Sequence, residues 1–371
     1  MKEVGYMILA IILIILFIPA MIVGTAKRGQ VKVDSGEGID ISGSVIVGDE
    51  NKEEKSKEEE SKEKDNKDKL NIGKDEEPCI KVFIHSENKT VYMPLEEYIR
   101  GVLCGEMPAE FEVEALKAQA VAARTYAVTR MKEFGSKGCQ RGEDADICTD
   151  STHCQAWISK EKRMESWGAL NGQKYWDKVT KAINDTKGQI LTFDSVPVMY
   201  PLYFSTSSGK TENSEDIFKS NEPYLKSVVS PYEKEAPKFA SKVTFTTNDF
   251  IKKFADSQYK IKLDKSNIKS QVKVLSRTEG GSVKSIKVGS STLSGTSVRS
   301  ILKLNSANFT IEFGKNDVTL SVSGYGHGVG MSQWGANGMA KQGKNYKEIL
   351  KHYYKGTDIK TIKDVYGSKA K

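Results

Sequence analysis

One carboxylate in this 371-residue chain stands where its neighbours predict an apolar side chain. Leu95, Tyr98, Ile99, Val102 and Leu103 recur at the three- and four-residue spacing of one helix face, and Glu106 continues that stripe. Pro108 disfavours helical geometry at Met107, so the spacing predicts a helix with Glu106 at its carboxyl end. Desolvation and the negative end of the helix dipole both disfavour a charged carboxylate there, and both raise its pKa. A carboxylic acid that keeps its proton near neutral pH can donate it to a leaving oxygen. The competing reading is a solvated glutamate at a frayed helix end, the commoner fate of that residue type.

Three further constellations carry chemistry. Cys139, Cys148, His153 and Cys154 form a C-x8-C-x4-H-C cluster in a loop rich in Gly, Asp and Thr. Three thiolates and one imidazole complete a tetrahedral zinc shell, which would be structural because it leaves no open position. Disulfides compete, and five cysteines would leave one unpaired. Ser205 to Thr211, reading STSSGKT, follows a predicted strand and offers hydroxyls, amides and one ammonium that could line a glycan groove; a solvated turn is the plainer reading. It lacks the glycine spacing of a phosphate-binding loop. Gly324, Gly326, Gly328 and Gly330 surround Tyr325 and His327, with Gln333 and Trp334 following, a density that implies tight turns or close backbone approach. A lone histidine there is more often structural than catalytic.

GEMPAEF, EALKAQAVAARTYA, CTDSTHCQAW, YFSTSSGKTENSEDIF and GYGHGVGMSQWGANGMA together resemble the stage II sporulation protein D family, from about Cys79 to the carboxyl end. The resemblance implies a membrane-anchored lytic transglycosylase that acts on peptidoglycan during engulfment of the forespore, with Glu106 as acid and base. It implies substrate-binding roles for Arg124, Tyr203, Ser205, Ser207, Lys210, His327 and Gln333. On spacing alone Arg124 is as readily a salt-bridge partner. The chemistry needs no cofactor. An internal C6 hydroxyl can replace the second carboxylate that ordinary glycosidases use, although Glu97, Glu110 and Glu212 are available. The expected partners are peptidoglycan strands, a wall amidase and membrane proteins of the engulfment machinery.

The elements that must hold these groups form an α+β fold. Ile80, Val82 and Ile84 alternate, a polar turn follows at Ser86 to Lys89, and Val91 and Met93 resume, which reads as a hairpin feeding the Glu106 helix. An alanine-rich helix from about Glu112 to Phe134 should be central and buried. Asp177 to Lys187 reads as a short helix with Val179, Ala182 and Ile183 inward and Gly188 as its stop. Gln189–Phe193 and Val196–Phe204 read as strands around Asp194-Ser195. From Val243 to Val322 the pattern is strand-like, with one helix at Ser297 to Leu302. The expected organisation is an anchor (1–26), a charged linker (27–77), a helical and hairpin catalytic part with the Cys/His loop (78–232), an inserted β-rich lobe (233–322) and a return segment (323–371), the two lobes flanking a cleft.

Val4 to Val23 is uncharged and long enough to span a bilayer, and longer than a usual signal-peptide core, so an uncleaved single-pass anchor is expected. The positive-inside rule weighs Lys2 against Lys27, Arg28 and Lys32 and would leave the carboxyl-terminal part in the cytoplasm. The family's substrate places it outside, in the space between the mother-cell and forespore membranes. Residues 27–77 hold 11 basic and 16 acidic residues and cannot bury a core. As a coil they would span roughly 40 Å. With residues 1–26 balanced and the linker at −5, the total of +7 leaves +12 on residues 78–371, which suits an anionic wall polymer; no nucleic-acid signature accompanies that charge. Two rival readings are a cysteine hydrolase, with Cys104 as nucleophile and His327 or His352 as base, and a non-catalytic wall-binding scaffold that recruits an amidase.

Overall fold

The computed structural model describes residues 77–218 and 220–367. The expected anchor and nearly all of the charged linker lie outside the described residues, and no helix among the described residues is long and apolar enough to cross a membrane.

The hairpin is β1 (Cys79–Ile84) and β2 (Lys89–Pro94), antiparallel, closed by a turn in which Asn88 takes the left-handed conformation that asparagine tolerates. It leads into α1 (Leu95–Glu106), whose stripe Leu95, Tyr98, Ile99, Val102 and Leu103 is fully buried. The helix stops as Pro108 requires: Met107 is extended, at φ −123° and ψ 144°.

The alanine-rich helix α2 (Val113–Val128) runs through the middle of the molecule with 13 of its 16 residues buried. One face, with Leu116, Ala120, Ala123 and Ala127, joins the core built on the hairpin and α1; the other, with Ala115, Ala118, Val121 and Ala122, joins a second core around Leu191, Val329 and Leu350. A helix buried on two faces is what a two-sided core demands. It ends six residues short of the expected Phe134. The chain turns there, and Asp146 accepts the Lys132 amide instead of a helical carbonyl.

The strand β3 (Ile147–Cys148) adds parallel to β1. Next comes α3 (Lys160–Asp185), much longer than the expected Asp177–Lys187 and broken at Gly168, where φ 70° and ψ 170° are open to glycine almost alone. Its first half escaped the sequence pattern because it carries no apolar stripe: only Gly172, Val179, Ala182 and Ile183 are buried. Strands β4 (Gln189–Phe193) and β5 (Val196–Pro197) form a hairpin around Asp194-Ser195, both at positive φ. The expected strand over 196–204 is interrupted, since Pro197 and Pro201 lack the amide a ladder needs, and it resumes only as β6 (Tyr203–Phe204).

Residues 240–323 build two three-stranded sheets on their own apolar cluster, with Phe250, Phe254, Ile286, Val298 and Leu320 at its centre. In chain order these are β7 (Ala240–Thr246), α4 (Thr247–Asp256), β8 (Val272–Arg277), β9 (Val283–Val288), β10 (Ser291–Leu293), α5 (Gly295–Leu302), β11 (Phe309–Phe313) and β12 (Asp317–Ser323). The helix α4 was not expected. Its buried Phe250 and Phe254 are only one turn apart, too short a stripe to distinguish from a strand. The chain then returns through β13 (Met331–Ser332), α6 (Gln333–Lys341), α7 (Tyr346–Tyr353) and β14 (Asp358–Thr361), which pairs with β4. β13 pairs in parallel with β6, Met331 opposite Tyr203 and Ser332 opposite Phe204. This pairing brings two loops far apart in sequence to the end of α1.

Candidate active site

Glu106 ends α1 half-buried, so its carboxyl is desolvated but still reachable. Its Oε1 accepts the Ala156 amide at 3.1 Å and the Tyr203 hydroxyl at 3.4 Å, and its Oε2 accepts Gln333 Nε2 at 3.5 Å. Burial pushes the pKa up to about 7, against the opposing pull of those three donors. Every group hydrogen-bonded to the carboxyl is a donor, so the deprotonated form is also received once a proton has left.

Behind this contact runs a relay. Tyr98 donates to Gln155 Oε1 at 3.3 Å, Gln155 Nε2 donates to the Tyr203 hydroxyl at 3.0 Å, and Tyr203 donates onward to Glu106. Gln155 is buried and also donates to the Ala123 carbonyl. Gln155 and Ala156 carry no site signal of their own in the sequence. They sit in the QAW end of the Cys/His motif, but nothing in a one-dimensional pattern shows that a backbone amide there meets a carboxylate 50 residues away.

The other predicted substrate-binding residues divide. Ser205 stays beside the site, its carbonyl accepting the Trp334 amide at 3.1 Å and the Ser332 hydroxyl at 3.4 Å. Arg124 does not line the site. Its side chain has no exposure, and its Nη2 and Nε hold Glu96 at 2.6 and 2.9 Å while Nη1 donates to the Gln189 carbonyl. Glu96 in turn accepts the Gly188 amide, so the pair ties α1, α2 and β4 together. Ser207 is likewise buried, its hydroxyl accepting the Gly209 amide. Lys210 forms a solvent-exposed ion pair with Glu279 at 2.6 Å. His327 offers nothing to a sugar: the Val329 amide donates to Nδ1 and Nε2 donates to the Tyr203 carbonyl, both at 3.1 Å. Burial against Phe204 and Phe218 lowers its pKa to about 4, so it is a neutral structural imidazole.

Of the proposed second carboxylates, Glu212 is buried with Oε1 on the Ser282 amide, and Glu97 and Glu110 are exposed. Burial works against the cysteine-hydrolase reading. Cys104 is buried, which pushes its thiol up to about 12, and His352 donates to the Val229 carbonyl. A surface cavity of about 1030 Å³ opens elsewhere, on the β-rich part between Thr246, Lys252, Tyr259 and Ser297. None of those residues hydrogen-bonds the Glu106 cluster.

Cys139, Cys148, His153 and Cys154 converge as expected, their ligand atoms all within 4.8 Å of one another. His153 Nδ1 lies 3.5, 3.4 and 3.3 Å from the three sulfurs, and Cys154 Sγ lies 3.9 Å from Cys139 Sγ. Zinc bonds of about 2.3 Å to sulfur and about 2.0 Å to nitrogen place tetrahedral vertices about 3.5–3.8 Å apart, so the donor set fits zinc. The cysteines are not disulfide-bonded. Such an ion would supply a closed structural clamp. Cys148 lies in β3 and Cys154 immediately precedes Gln155 and Ala156, so the clamp would fix the segment that contacts Glu106.

A family model described as stage II sporulation protein matches residues 84–193. Stage II sporulation protein D of Bacillus subtilis (strain 168) is 41% identical over 280 residues, covering 76% of this chain and 78% of that protein. The chain belongs to the stage II sporulation protein D family. Its relative in Bacillus amyloliquefaciens is 38% identical over 77% of this chain and 80% of that one, and the family places the protein in sporulation. A more distant similarity, 26% identity over 70% of this chain and 40% of the other, is to a Bacillus subtilis protein named amidase enhancer.

Proposed function

We propose that this family member is a lytic transglycosylase that cuts peptidoglycan strands between N-acetylmuramic acid and N-acetylglucosamine during forespore engulfment. In this reading it works from a membrane anchor, outside the cytoplasm, between the mother-cell and forespore membranes. The observation that carries the reading is Glu106 itself: a reachable carboxyl with a pKa of about 7, ringed by donors and hydrogen-bonded to no second carboxylate among the described residues.

The chemistry follows from that ring. Glu106 gives its proton to the glycosidic oxygen as the C1–O bond breaks and positive charge develops at C1. The Ala156 amide, Tyr203 hydroxyl and Gln333 amide stabilise the carboxylate left behind. The muramic acid's own C6 oxygen then bonds to C1, and its proton passes to Glu106, leaving a 1,6-anhydro end and the starting acid. One carboxyl serves both steps because the nucleophile is intramolecular. Mass spectrometry of glycan strands incubated with the full chain tests this. Anhydro-muropeptides should appear, and should vanish with Glu106→Gln; their absence from the wild-type digest overturns the reading.

The similarity to a protein named amidase enhancer favours a second role, in which the chain also holds glycan for a wall amidase. In that case Glu106→Gln protein would still bind peptidoglycan and raise amidase release of stem peptides.

A further inference from the structure

Among the buried carboxyls that the chemistry above does not use, one lies behind the Gln333 side of the site. Glu233 is 2% exposed. It belongs to the segment 230–235, which lies flat along α6, the helix that begins with Gln333. Glycines permit the approach: a Cβ at Gly335 would fall 2.2 Å from the Tyr353 hydroxyl, 2.5 Å from Ser230 Oγ and 2.6 Å from Glu233 Oε1, and one at Gly338 only 2.3 Å from Tyr232 Cβ. Tyr232 takes the left-handed conformation at φ 68°, unfavourable for a residue with a side chain, immediately before Glu233. At the far end of α6, Lys341 pairs with Glu235 at 3.0 Å.

The polar contacts are directional. Ser230 Oγ donates to Glu233 Oε1 at 2.6 Å and lies 2.7 Å from the Tyr353 hydroxyl, so Tyr353 must be the donor to Ser230. The Ser230 amide donates to the Gly209 carbonyl at 2.9 Å, so the residue that holds Glu233 is itself tied to the 205–209 loop, while Glu233 Oε2 has no hydrogen-bond partner among the described residues. Ser332 caps α6, and Gln333 is its first residue. Glu233 therefore holds Ser230, which is joined to the 205–209 loop, and lies against Gly335 in the first turn of α6, the turn that delivers Nε2 to Glu106. A buried carboxyl is costly to maintain, and an apolar side chain of similar volume would fill the space without that cost. It would not fix the direction of α6.

We propose that Glu233 is a positioning residue: it locks the first turn of α6 to the 205–209 loop, so that Gln333 keeps its hydrogen bond on Glu106. The inference rests on Glu106 as the working acid, and its test is chosen to read that residue with or without turnover. In the full chain labelled at glutamate carboxyl carbons, the resonance lost in Glu106→Gln reports the Glu106 titration. Gln333→Ala removes a donor to the carboxylate and shifts the midpoint upward. Glu233→Ala should shift it in the same direction, whereas Glu233→Gln, which still accepts from Ser230, should restore the wild-type midpoint. Leu350→Ala, a core truncation, should lower thermal stability without moving it. Where turnover is measured, Glu233→Ala should lower kcat tenfold to a hundredfold with KM kept, the range a displacement of about 1 Å can cost. A wild-type midpoint in Glu233→Ala, alongside a shifted one in Gln333→Ala, overturns the proposal. If Glu233→Ala does not fold, Ser230→Ala removes the direct hydrogen bond, and an unmoved midpoint there overturns it equally.

Discussion

At the scale of single residues, the site turns on protonation. With Glu106 acting first as an acid, kcat/KM should be level below pH 7 and fall about tenfold per pH unit above it, a limb that a pH–rate profile reads directly. Stability carries the opposite face of the same fact. The folded pKa lies above the ordinary value of 4.5, so the contribution of protonated Glu106 is complete below pH 4.5 and is lost as pH rises through about 7. Glu106→Gln cannot ionise, so it should gain thermal stability over the wild type across that window. The gain has a ceiling of about 3 kcal/mol, from about 1.4 kcal/mol per pH unit, reduced by water on the open side. Melting curves of both proteins at pH 5 and pH 8 check this; an equal gap at the two pH values would contradict it. Arg124 makes a contrasting prediction. Its truncation to Ala strands Glu96 in the interior and should cost about 3–5 kcal/mol, with much of the loss recovered when Glu96 is also changed to Ala. A sugar-binding arginine would show no such recovery in a denaturation double-mutant cycle.

At the scale of elements, the Cys/His loop and the break in α3 are the tests. If the four ligands hold zinc, elemental analysis should give one ion per chain, and chelation should loosen the segment that presents Ala156. Hydrogen exchange at the Ala156 amide would then quicken while the sheets of residues 240–323 stay protected; a metal-free protein with oxidised Cys139 and Cys148 would refute zinc. Gly168 meets nothing where a Cβ would stand, so only its backbone conformation resists substitution. Gly168→Ala should therefore cost about 1–3 kcal/mol in chemical denaturation, without a change in neighbouring packing.

At the scale of the whole molecule, an extracytoplasmic catalytic part predicts that protease added to intact spheroplasts degrades it, while a protected carboxyl-terminal part would reverse the orientation. The stripe ending at Glu106 was legible in the sequence because Pro108 and the apolar spacing act within one turn of helix, and the hairpin and zinc-type cluster were legible for the same local reason. Arg124 and Lys210 meet partners too distant in sequence to infer. Of the two readings open for Arg124, the salt bridge holds, to Glu96 28 residues earlier, while Ser207 accepts within its own loop and Lys210 pairs with Glu279. In the sequence His327 is open to either reading; in the fold two backbone groups engage its nitrogens. By itself, the sequence determined the carboxylate, its helix end and the donor types available to it. Only the tertiary structure decided which donors reach Glu106, because that depends on β6 pairing with β13 across 128 residues of chain and on the Cys/His loop folding back onto α1.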